Sequence, residues 1–172
     1  MKILAIIGAL AIIVGIAAAV FFFGGFYSVA GTQEDNGAVA WALANVRNAS
    51  IDRHAVEAPP QSPSLDDPAT VRAGARAFKE RGCVGCHGAP GAEWAKFSEG
   101  LNPAPPDLKE VVGAAQPRQL FWVVKNGIKM TGMPSFGAIG TPDPEIWSIV
   151  AFLKKLPTAS DADFKAWSAS PS

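Results

Sequence analysis

The chain has 172 residues, with 15 basic and 15 acidic side chains, two histidines and two cysteines. That length supports one domain with a real core and leaves little for a second. Charges this evenly balanced, with Lys2 the only basic residue before Gly31, give no basic face on which a nucleic acid could dock.

Hydrophobic residues make up 49% of the chain, and many of them fall in residues 3–27, where no side chain is charged. At ~1.5 Å of rise per residue this run matches the apolar core of a bilayer, and it exceeds the ~7–15 residues usual in a secretory signal. Residues 1–30 are predicted to be a transmembrane anchor, or an uncleaved signal. The competing reading is a long cleaved signal, with Ser28-Val29-Ala30 supplying small residues before Gly31. Lys2 as the cytoplasmic flank puts the rest of the chain on the far side of the membrane.

Residues 31–66 are predicted to be a stalk. Val39, Leu43, Val46 and Ala49 recur at spacings of four and three, which suggests a short amphipathic helix, packed on the main domain or lying on the membrane. Pro59, Pro60, Pro63 and Pro68 make the next stretch extended, and the domain boundary is expected there, with the main domain at 67–172. Asp67 as cap and Pro68 in the first turn start a helix that runs to about Arg81 and ends at Gly82. Its Val71, Gly74, Ala75 and Phe78 share a face, and Gly74 admits a second backbone close by.

Two more helices are predicted. One starts at Pro117 and ends at Asn126-Gly127; the other is capped by Thr141 or Asp143 and stopped by Pro157, with Lys154-Lys155 in its last turn. Ser160 with Asp163 three residues on starts a last turn that brings Phe164 and Trp167 to one side. No segment alternates as a strand does, so the fold class is all-α. The Gly- and Pro-rich stretches 88–108 and 128–140 are too long for plain connections, and loops of this kind wrap something.

Both cysteines lie in Cys83-Val84-Gly85-Cys86-His87. A redox dithiol would sit beside a βαβ pattern, which is absent, and a zinc site would need more ligands than His54 can add. The third reading is covalent haem attachment: each thiol forms a thioether with a vinyl group, and the adjacent imidazole is carried onto the iron. The other axial position has three candidates, Met130, Met133 and His54. Met133 is preferred because Gly132 permits close approach and Pro134 biases it toward extended backbone, whereas Met130 could simply fill a gap in the apolar wall.

In the order helix, CxxCH, loop, helix, Met-Pro loop, helix, residues 67–157 resemble the class I c-type cytochromes. The resemblance implies a small helical domain around one haem c, attached through Cys83 and Cys86 and ligated by His87 and Met133. It implies that Gly74 and Phe78 cross Trp147 and Val150. It also implies that the Pro106 carbonyl orients His87 and that Leu108 touches the haem, with Pro103 and Pro105 near enough to substitute for Pro106. Phe121, Trp122, Phe136 and Ile139 would keep water out, and Lys125 and Lys129 would flank the methionine loop. With both axial positions filled, electron transfer is expected, without enzymatic activity of its own or a small-molecule substrate. The expected role is a membrane-anchored carrier between membrane-bound donor and acceptor complexes; the alternative is a fixed haem subunit of a dehydrogenase or terminal oxidase. The expected place is the inner membrane of a bacterium, with the lipid bilayer around the anchor and the haem domain in the periplasm.

Overall fold

A computed structural model describes residues 2–170 and divides the chain into two compact units between Glu34 and Asp35. The first holds α1 (Lys2–Phe23), whose 22 residues carry apolar side chains on every face, so it is long and apolar enough to cross a membrane. The helix stops four residues before the apolar run does, at Gly24-Gly25, where Gly25 takes a left-handed φ of 77°.

The second unit contains α2 (Gly37–His54), α3 (Pro68–Glu80), α4 (Cys83–His87), α5 (Leu108–Val111), α6 (Pro117–Asn126), α7 (Asp143–Lys155) and α8 (Asp161–Trp167), with single 3-10 turns at Ala55–Glu57, Lys96–Gly100 and Leu156–Thr158. There is no strand among the described residues; the fold is all-α, as expected.

The core is the seam of α3 and α7. The residues Ile146–Leu153 are all buried in α7, and they meet Val71, Gly74, Ala75, Ala77 and Phe78 of α3. The Asp67 carboxylate accepts from the Thr70 amide at 2.8 Å and starts α3 as predicted. The partners in the crossing differ from the expected ones. A Cβ added at Gly74 would collide with the Ser148 carbonyl and stand 3.0 Å from the Phe152 Cβ, and Phe78 packs on Phe152 with ring centroids 5.2 Å apart. Ser148 and Phe152 therefore take the places expected of Trp147 and Val150, because the face of α7 turned to α3 lies one to two residues further along. Trp147 instead lies against Phe121 of α6, centroids 4.4 Å apart.

The cap of α7 also differs. Pro142 occupies the cap position with no side-chain bond, the Asp143 carboxylate pairs with the Lys125 ammonium at 2.7 Å, and the buried Thr141 hydroxyl has no protein partner. A charged partner on α6 holds the carboxylate that would otherwise have capped the helix. In α8 the Ser160–Asp163 capping box forms, Phe164 is buried, and Trp167 meets Phe152 edge-on.

The stretch expected as a stalk is built into the second unit. Asn36 caps α2, and the far end of that helix sits on α6: the Gln119 amide donates to the Asp52 carboxylate at 2.6 Å, and the His54 ring stacks on Trp122 at 5.8 Å. Ala55 and Ala58 are buried beneath. The contact uses the Ile51 and His54 side of the helix, so Leu43 and Val46 of the predicted stripe face solvent.

Candidate functional site

The CxxCH segment folds as one helical turn. Gly82 leads into it at φ 79° and Gly88 leaves it at φ 62°, left-handed conformations that side chains rarely adopt, so the chain reverses on both sides of Cys83–His87. The Ala95 amide donates to the Gly85 carbonyl at 2.8 Å, and Ala89 and Ala92 bond each other, which folds the following loop back over the turn. Phe97 and Trp94 come within ordinary contact of where side chains at Gly85 and Gly88 would stand.

His87 Nδ1 lies 3.0 Å from the Pro106 carbonyl oxygen. A carbonyl can only accept, so Nδ1 carries the donated proton, and in the neutral ring Nε2 keeps its lone pair. Of the three prolines that could have served, Pro106 holds the histidine. The next residue, Asp107, caps α5 by accepting from the Lys109 amide at 2.8 Å, and Leu108 packs half-buried against the core. A cavity of about 250 Å³ adjoins the turn, lined by Cys86, His87, Trp94, Ala104, Pro105 and Pro106 among others.

Cys83 and Cys86 are both free thiols, half-buried. Burial pushes the Cys83 thiol up to about 12. A redox dithiol needs its nucleophilic thiol lowered, so this environment disfavours that chemistry and suits a sulfur destined for a neutral thioether.

The methionine loop is tied to the end of α6. The Phe136 and Gly137 amides donate to the Val124 and Lys125 carbonyls, and the Ser135 hydroxyl donates to the Lys125 carbonyl at 2.7 Å. Gly127, at φ 68°, lies so close to the Met133 carbonyl that a Cβ would stand 2.7 Å from it. Met133 is half-buried and packs on the core, whereas Met130 stands 95% exposed with a left-handed φ of 59°. His54 is committed elsewhere, its Nδ1 2.7 Å from Glu57 and its ring on Trp122.

Phe121 and Phe136 are buried as expected of an apolar wall, and Trp122 is half-covered by His54, but Ile139 is 64% exposed. Lys125 is held by Asp143 and lies over the Phe121 ring, leaving Lys129 as the exposed lysine beside the loop. Sequence reasoning missed Leu101, whose side chain meets the space a Gly132 Cβ would fill and so joins the two loops, and it missed the role of Lys154. Neither carries a local signal.

The donor set fits a haem: two thiols and an imidazole on one turn, the imidazole's Nδ1 already engaged, a thioether on a separate loop and, among the described residues, two buried polar atoms without protein partners, Thr141 Oγ1 and Trp147 Nε1. No curated protein and no solved structure matches the chain. Residues 69–153, about half of the chain, match the family described as cytochrome c oxidase, cbb3-type, subunit III. With the helix order and CxxCH turn above, this makes residues 69–153 a c-type cytochrome domain, consistent with the class I kind, and such a domain implies covalently bound haem c and electron transfer.

Proposed function

We propose that this chain is a membrane-anchored cytochrome with one haem c that passes single electrons over short distances as a subunit of a larger membrane oxidoreductase. The observation that carries this reading is the docked α2. With α2 packed on α6, the length left between α1 and α2 is residues 24–36, and a flexible segment of that size has a typical reach of roughly 20 Å. A free stalk of residues 31–66 would reach roughly 33 Å. The shorter tether suits a domain that serves a fixed neighbour, and the matched family is itself described as an oxidase subunit.

In this reading Cys83 and Cys86 would hold the haem, each S–H adding across one vinyl group so that sulfur bonds one vinyl carbon and the proton goes to its neighbour. His87 would hold the iron through Nε2, with Nδ1–H donated to Pro106, a bond that would fix the ring and strengthen its donor atom. Met133, on a loop braced on α6, would offer its thioether sulfur to the iron. When bound, the haem would supply a one-electron couple. Phe121 and Phe136, buried in the core, and Leu108, packed against it, would keep water from the haem and so limit the solvation of the charge change on electron transfer. The haem domain, residues 67–172 with α2 as its cover, lies on the periplasmic side of a bacterial inner membrane.

The test is purification of the full chain from gently solubilised membranes. Stoichiometric co-purification of other redox subunits is the expected result. Recovery of the chain alone, with full electron exchange toward added complexes, would establish a free carrier instead.

A further inference from the structure

Lys154 lies in the last turn of α7, half-buried, and its ammonium donates to three backbone carbonyls at once: Val112 at 3.2 Å, Gly113 at 3.1 Å and Ala115 at 3.0 Å. These carbonyls follow α5, a helix of one turn whose carbonyl end has too few residues to bond within itself. A cation there meets the negative end of the α5 dipoles and makes charge-assisted bonds. The position of the charge is itself firm, because the eight residues Ile146–Leu153 immediately before it are buried in the core.

The other end of α5 starts at Asp107, directly after the carbonyl that accepts from His87 Nδ1. This single turn is pinned at its carbonyl end, with Val112 fully buried beneath, and is tied again by Lys109 Nζ to the Ala159 carbonyl at 3.4 Å. We propose that Lys154 is a positioning residue for the haem ligand: by holding residues 112–115 it fixes α5, and so sets the Pro106 carbonyl against His87 Nδ1. This rests on the reading of His87 as the iron ligand. Neighbouring Lys155 makes a different contact, an exposed pair with Asp66 at 2.6 Å, and removing it takes away the same charge one residue along.

The experiment compares full-length haem-loaded protein with its Lys154→Met, Lys154→Gln, Lys154→Arg and Lys155→Met variants. It follows exchange of the His87 Nδ1 proton by NMR, together with the midpoint potential. In Lys154→Met that exchange is expected to speed up about tenfold, as one hydrogen bond weakens, with a shifted potential. Lys154→Gln, which keeps a neutral donor and serves if the Met variant does not fold, is expected to fall between Met and native. Lys154→Arg is expected to restore both readouts, and Lys155→Met to leave exchange within twofold of native. Unchanged exchange in Lys154→Met, or in Lys154→Gln if only that folds, overturns the proposal, as does an equal effect in Lys155→Met. If native protein shows no iron-shifted His87 signal, the ligand assignment fails, and that result is separate from any variant.

Discussion

Gly74→Ala tests the helix crossing on which the domain is built. The added Cβ would collide with the Ser148 carbonyl oxygen and stand 2.5 Å from its carbon and 3.0 Å from the Phe152 Cβ, so α3 and α7 must part by at least about 1 Å to restore ordinary contact. A gap of that size forfeits a quarter to a half of the dispersion contacts across the seam. The seam side chains Val71, Ala75, Phe78, Ile149 and Phe152 are all buried, and the three largest contribute about 1.5–3 kcal/mol each. The expected loss is then ~2–4 kcal/mol, offset by ~1 kcal/mol because alanine is the better helix former. A net destabilisation of ~1–3 kcal/mol would be read from thermal unfolding of the haem-loaded protein by circular dichroism. Gly37→Ala, where a Cβ meets nothing within 4 Å, is the control and is expected to be neutral or slightly stabilising. A Gly74→Ala variant as stable as the native protein would refute the close-approach argument.

Phe152→Ala removes a fully buried ring that touches Phe78, Phe164 and Trp167, and denaturant titration should show a loss of about 3–5 kcal/mol. Met133→Ala is expected to abolish the sulfur-to-iron charge-transfer band and lower the midpoint potential, while Met130→Ala, at the exposed position, leaves both in place; the reverse pattern would exchange the two ligand assignments. The Asp67 and Asp163 carboxyls are held below their ordinary value of 3.8 by hydrogen bonds from the Thr70 and Ser160 side chains, and in each the backbone amide adds to the effect. Their contribution to stability is therefore full above that value and is lost as the pH falls through the lower folded values. Asp67→Asn with Asp163→Asn should flatten the fall in stability below about pH 4, measured as denaturant midpoint against pH. Intact mass should show one haem added, with no thiol reactive toward Ellman's reagent after unfolding, since both cysteines are consumed.

What could be read from the sequence was local. Asp67 and the Ser160–Asp163 pair bond within three residues of themselves, so their caps were legible. The Thr141 or Asp143 cap was not, because Lys125 on another helix holds the Asp143 carboxylate. Gly74 announced a crossing, but which residues of α7 meet it depends on how that helix is rotated, and no local pattern encodes rotation. One-turn elements such as α5 have no periodicity to detect, and proline density around them reads as loop. At the site, Cys83, Cys86 and His87 stand together in the sequence; the Pro106 contact spans 19 residues and came from resemblance, and Lys154 reaches back about forty to its partners, with nothing nearby to mark it.

The seating of α2 on α6 also decides where the protein can be cut. A fragment that begins at Asp67 strips the cover from Trp122 and leaves Gln119 without Asp52, exposing an aromatic surface next to the helix that braces the methionine loop. One that begins at Asp35 keeps that surface closed and sheds the apolar helix entirely. The water-soluble form of this cytochrome should start some thirty residues before the Asp67 cap of α3.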